Sequence, residues 1–213
     1  MESNNHIIIC VGRQVGSGGH DIARMLALDF NAKYYDRELL NLAAKESGFS
    51  EKFFEQNDER RGIFRSLFNL RATPVHDSDI YANNFSQESL FKFQSDAIMK
   101  AADEGSCVFV GRCADYVLRD VPGCISVFIT SDMKDRISRI RTINKYGDTV
   151  GLSDEKIADL LEKGDRKRAS YYRDYTFKTW GAAESYDLCL SSSLLGIEGC
   201  ADIIEETIKR RLL

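Results

Sequence analysis

The chemistry most plainly written in this sequence lies in a glycine-rich run, Gly12-Arg13-Gln14-Val15-Gly16-Ser17-Gly18-Gly19. An apolar, strand-like stretch (residues 6–11) runs into it. A helical repeat over 19–30 follows at once, with Ile22, Met25, Leu26 and Phe30 on one face. Phosphate binding asks for this arrangement, because glycines let backbone N–H groups turn inward and a helix N-terminus adds positive potential. Glycines alone would equally serve a plain tight turn, so the flanking strand and helix carry the inference.

The run departs from the GxxxxGK[ST] pattern. Gly19 stands where lysine is required, Arg13 where the first glycine belongs, and His20 and Asp21 where a hydroxyl often follows. The loop keeps its backbone amides and lacks the mobile ammonium that would bridge the β- and γ-phosphates. Arg13 is the candidate substitute, since a guanidinium can clamp a phosphate through two hydrogen bonds.

Such a loop must be held by a sheet, and the apolar runs supply one. Residues 6–11, 107–110, 124–129 and 187–190 are short, continuous and rich in Ile, Val, Phe or Cys, as expected of strands covered on both faces. Lys33-Tyr34-Tyr35 is a fifth, shorter candidate. Helical spacing marks 19–30, 88–104, 132–146, 153–176 and 197–212. Ser153 suits an N-cap, and Lys209-Arg210-Arg211 complement the dipole at the closing end. Alternating strands and helices imply an α/β fold whose ligands sit beyond the carboxyl ends of parallel strands.

With the motifs placed, the chain resembles the cytidylate kinase-like family of bacterial P-loop proteins. The resemblance rests on the glycine run and on Tyr35-Asp36-Arg37-Glu38-Leu39. It continues through Val108-Phe109-Val110-Gly111-Arg112-Cys113-Ala114-Asp115-Tyr116, Phe128-Ile129-Thr130-Ser131 with Arg136, and Asp165-Arg166-Lys167-Arg168-Ala169. Trp180-Gly181 and Tyr186-Asp187-Leu188 complete it. The resemblance implies a three-layer P-loop nucleotide-kinase fold with a five-stranded parallel sheet and a helical lid or insert. It also implies transfer of the ATP γ-phosphoryl group to a nucleoside monophosphate, with Mg2+.

Residue by residue, the resemblance places Gly16, Ser17, Gly18 and Gly19, with the helix start His20-Asp21, around the donor phosphates. Arg112 resembles the arginine that holds the acceptor nucleotide. Arg166, with its neighbour Arg168, sits where lid arginines close over the phosphates, and Arg168 is also placed at the substrate. Asp36, Arg37 and Asp115 fall beside the acceptor. Asp115 or Asp36 is a candidate to hold the metal through water. Phosphoryl transfer is mostly positioning and charge neutralisation, so arginines arriving from separate elements suit it.

Plainer readings compete. Arg136, Arg139 and Arg141 read as solvated or lying over apolar surface, Asp36 as an N-cap for a helix over 37–47, and the Tyr171–Trp180 aromatics as packing. The loop without its lysine also suits a nucleotide-binding pseudokinase. A Rossmann dinucleotide enzyme is disfavoured, because the glycines do not give GxGxxG.

The 213 residues are enough for one well-buried core, with a lid or substrate-binding insert expected around 50–95. The net charge of −4 gives no electrostatic argument for nucleic acid, and no apolar run is long enough to span a bilayer. A cytoplasmic chain acting on small nucleotides is expected, and a homodimer through the insert is left open. The six cysteines include no CxxC, and four fall in or beside strand-like runs. They read as reduced core residues rather than disulfide or zinc partners.

Overall fold

The computed structural model describes residues 6–36, 79–143 and 149–212. Its centre is a sheet of five parallel strands: β1 (Ile8–Arg13), β2 (Lys33–Tyr35), β3 (Cys107–Val110), β4 (Cys124–Thr130) and β5 (Leu188–Ser191). Their order is β2-β3-β1-β4-β5. All five expected strands are present; β2 and β3 have the expected bounds, and β1, β4 and β5 differ by one or two residues at their ends. This order is not the 3-2-1 progression of a Rossmann half, which removes the dinucleotide reading.

Side-chain alternation explains why the strand runs are apolar throughout. Ile9, Val11, Val108, Val110, Val127 and Ile129 face one way. They pack with Ile22 and Leu26 of α1 (Gly19–Asp29) and Ile204 and Ile208 of α6 (Ser192–Leu212). Ile8, Cys10, Cys107 and Phe109 face the other way. They meet Ile98 of α2 (Asp79–Glu104), Ala114 of the single turn α3 (Ala114–Val117), and Leu118. With helices on both faces, no position on the central strands can be polar without an internal partner.

Two further helices, α4 (Met133–Ile143) and α5 (Asp154–Thr176), pack on each other through Ile137, Ile157 and Leu161. The Ser153 side chain accepts from the Lys156 amide, the cap expected from the sequence. Gly196 interrupts α6 with φ 74°, so its first turn is set off from the rest. The expected 37–47 helix, and most of the insert read at 50–95, lie outside the described residues. Among the described residues no helix is long and apolar enough to cross a membrane.

The register aligns the ends of β1 and β3, with Val11 opposite Val110, while β4 continues beside Arg13 at Ile129. The glycine run leaving β1 and the Gly111-Arg112-Cys113 turn leaving β3 therefore emerge side by side at the carboxyl edge.

Candidate active site

The glycine run folds into a loop whose outside is fastened at every turn. The Gln14 amide donates to the Ile129 carbonyl, and Gln14 Oε1 accepts from Thr130 Oγ1 at 2.6 Å and the Ser131 amide at 3.0 Å. Ser17 is fully buried. Its hydroxyl donates to the Gln14 carbonyl, and its own carbonyl accepts from Ser192 Oγ at 2.7 Å. The Ser17 side chain is thus spent on the loop's shape, leaving only backbone for a ligand. Gly16 and Gly18 both sit at φ 80°, a left-handed conformation that suits glycine. The amides of Gly16, Gly18, Gly19 and His20 have no acceptor among the described residues. They gather at the N-terminus of α1, which is the arrangement an anion requires.

An arginine of α4 and an aspartate of α5 lock the loop from outside. Arg136 is 4% exposed; its Nε donates to the Val15 carbonyl at 2.7 Å and its Nη2 to Asp165 at 2.5 Å. The other Asp165 oxygen accepts from the Val15 amide at 2.7 Å. This corrects the reading of Arg136 as a solvated helix residue. It lies in the first turn of α4, where it reaches to Val15 of the loop and Asp165 of α5 rather than out to water. Arg139 also lies inward, against Gly18, with Asp21 at 3.8 Å and its Nε buried without a partner among the described residues. Asp21 therefore faces an arginine rather than the cleft. Arg141 stays on the surface with Asp154, as expected.

Beside the loop opens a cleft of about 550 Å³, with Arg13, His20, Asp36, Arg112, Asp115 and Arg168 among its lining residues. Three guanidiniums meet there from three elements. Arg168 Nη1 donates to the Arg13 carbonyl at 2.9 Å. The charge of Arg112 reaches both others. Burial lowers the pKa of Arg13 well below the ordinary arginine range, and the positive charges of Arg168 and Arg112 lower it further. Burial lowers Arg168 as well, with Asp165 opposing and Arg136 and Arg112 adding to the effect. Gathering like charges in this way disfavours their charged forms, and an anion bound among them would offset that cost.

Arg112 and Cys113 take φ 60° and 56° directly after Gly111 at 76°. Two consecutive non-glycine residues in the left-handed region cost about 1–2 kcal/mol each. This turn lays the Arg112 guanidinium over the Tyr171 ring, 5.1 Å from its centroid. Four of the five aromatics between Tyr171 and Trp180 pack, as the plainer reading held: Tyr171, Tyr172, Tyr175 and Trp180 cluster with Phe128 and Tyr186, while Phe177 is 88% exposed. Tyr171, Tyr172, Trp180 and Tyr186 also form one wall of the cleft. Asp115 is mostly buried at its foot, accepting from Tyr172 Oη at 2.7 Å. Burial raises its pKa above the usual carboxylate range, and the Tyr172 hydrogen bond opposes this.

His20 faces the cleft. Its Nδ1 lies 2.9 Å from Tyr34 Oη and its Nε2 3.2 Å from Arg13 Nη2. Burial first, then the charges of Arg13 and Arg168, lower its pKa to about 4, so the ring is neutral near pH 7.

The structure thus brings Arg13, His20, Asp36, Arg112, Asp115 and Arg168 to one cleft beside the loop amides. It does not bring Arg166, which is 68% exposed and paired with Glu162 one turn back on α5. A helix presents neighbouring positions about 100° apart, so Arg166 and Arg168 cannot both face inward. Arg37 lies outside the described residues. The sequence reading missed Arg136 and Asp165 as a loop clamp; the available signal was the place of each in a motif of the resemblance, Arg136 after β4 and Asp165 at the head of Asp165-Arg166-Lys167-Arg168-Ala169.

The sequence profile of the cytidylate kinase-like family matches residues 8–194. No curated protein matches the chain. Among solved structures, an uncharacterized protein from Eubacterium ventriosum is 26% identical with a TM-score of 0.71, covering 95% of this chain and 98% of that one. A shikimate kinase from Bacteroides thetaiotaomicron is 15% identical with a TM-score of 0.54, covering 95% and 98%. The second likeness is one of fold.

Proposed function

Because the chain belongs to the cytidylate kinase-like family, we propose that it transfers the γ-phosphoryl group of ATP to a small phosphorylated acceptor, a nucleoside monophosphate of the cytidylate type. The observation that carries this reading is the meeting of Arg13, Arg112 and Arg168 in one cleft beside the amides of Gly16, Gly18, Gly19 and His20, which have no acceptor among the described residues. The amides and the α1 N-terminus suit the donor phosphates. The three guanidiniums suit an acceptor phosphate and the charge on the moving phosphoryl group, where they would be fixed before reaction begins. ATP supplies the electrophilic phosphorus.

Tyr171 and Trp180 offer a flat surface to a base, and Asp36 and Asp115 offer polar groups at the acceptor end. Among the described residues no three side chains form a metal-ligating group. Mg2+ would then be held mainly by phosphate oxygens and water, its usual manner, with Asp36 or Asp115 as outer partners. The cytoplasm is the compartment we assign to this activity.

One observation favours a second reading, a nucleotide-binding regulator without transferase activity. The stem of Arg13 lies against Gly19, in the space where a lysine side chain would begin.

Acceptor-dependent ADP release decides between the two readings. Purified protein with Mg-ATP is offered a panel of nucleoside monophosphates, and products are identified by mass. ADP formation that requires an acceptor, and that falls at least 100-fold in Arg112→Ala, is the expected result. Tight ATP binding without turnover on any acceptor would establish the regulator instead.

A further inference from the structure

The two departures of the glycine run from the GxxxxGK pattern touch each other. A Cβ placed at Gly19 would lie 2.6 Å from Arg13 Cβ and 2.9 Å from Arg13 Cγ. Those atoms are the anchored end of the arginine, which cannot swing aside unless β1 itself moves. At the far end, a Cβ at Gly111 would lie 2.4 Å from Arg13 Nη1. The side chain therefore runs through a slot with a glycine at each end. Its guanidinium donates to His20 Nε2 at 3.2 Å; the ring proton then belongs on Nδ1, which donates to Tyr34 Oη at 2.9 Å. His20 and Tyr34 in this way hold the guanidinium on the Arg112 and Arg168 side of the loop.

We propose that Arg13 and Gly19 are a reciprocal exchange of the usual loop glycine and lysine. The first loop position supplies the cation across the face of the seventh, and side chains at the two positions exclude each other. The guanidinium thereby emerges on the acceptor side of the loop rather than along the helix start. The assignment of that cation to phosphate rests on the function proposed above; the steric exchange does not.

A mutant cycle tests it. Gly19→Ala in the parent chain forces a Cβ against the Arg13 stem and lowers Tm by roughly 2–8 °C. In an Arg13→Gly background, which removes the Cβ as well as the rest of the stem, the same change leaves only the gain in helix propensity, so Tm stays level or rises. Calorimetric binding of ATP and of pyrophosphate supplies the second readout. Arg13→Gly and Gly19→Lys each lose at least 10-fold in affinity, and the double exchange Arg13→Gly/Gly19→Lys recovers to within about 3-fold of the parent. An equal Tm drop for Gly19→Ala in both backgrounds overturns the proposal. So does a Gly19→Lys chain that keeps Arg13, parental stability and parental affinity. Inversion of the Tm effect in a parent chain that binds neither anion upholds the exchange and refutes the proposed function.

Discussion

Acidification should loosen this protein through His20. The ring is half-buried among Arg13, Arg168 and Arg24, and its pKa is lowered to about 4 from an ordinary 6.5. The unfolded chain therefore takes up a proton at a pH where the folded chain still refuses it, and stability falls as pH drops. The loss begins near pH 6.5 and levels off near pH 4, where the folded ring is protonated too. With 1.36 kcal/mol per pKa unit, the change between pH 7 and 4.5 comes to roughly 2 kcal/mol from this residue alone. Asp115, whose pKa is raised, works in the opposite direction as it is protonated, so the wild-type slope by itself is ambiguous. His20→Gln removes the ambiguity: it retains an acceptor close to Nε2 for Arg13, lacks the titration, and leaves every other group in place. Urea denaturation of both proteins at intervals from pH 7 to 4.5 gives two curves of stability. The wild type should lose roughly 2 kcal/mol more than the variant over this interval. Parallel curves would refute the reasoning, because they would mean that the ring is not held neutral by its cationic surroundings.

Other outcomes follow from the same geometry. Arg168→Ala should weaken ATP-dependent turnover or nucleotide affinity at least 10-fold, while Arg166→Ala, two positions away, stays within about 2-fold; equal effects would contradict the orientation of α5. Asp165→Ala leaves Arg136 buried without its carboxylate and the Val15 amide without its acceptor. We expect a loss of about 3–5 kcal/mol by chemical denaturation, and a value under 1 would show that the clamp holds nothing. Burial pushes Cys107 and Cys113 up to about 12, whereas Cys189 is exposed. Iodoacetamide at pH 8 should therefore label Cys189 first and the other two only after unfolding, as read by peptide mass mapping.

The strands were legible because central parallel strands must be apolar on both faces, and runs such as HIIICV, CVFV and CISVFI carry that mark locally. The loop was legible for a related reason: left-handed turns and close backbone approach select glycine, which leaves a mark that needs no tertiary knowledge. Arg112 could be placed because it follows a buried strand directly, so its position at the carboxyl edge is fixed by chain connectivity. Helix-borne charges gave no such purchase. Arg166 and Arg168 are equally basic, and only the rotation of α5 against α4 turns Arg168 inward and leaves Arg166 with Glu162. Arg136 looked like part of a solvated face because α4 is highly charged, yet its first turn lies against the loop, where Asp165 neutralises it. Which chemistry has a place at the sheet edge follows from the chain alone, since strand and loop patterns are local. Tertiary structure alone decided which of many arginines converge there, because their convergence depends on helix rotations and long-range contacts that leave no periodic trace.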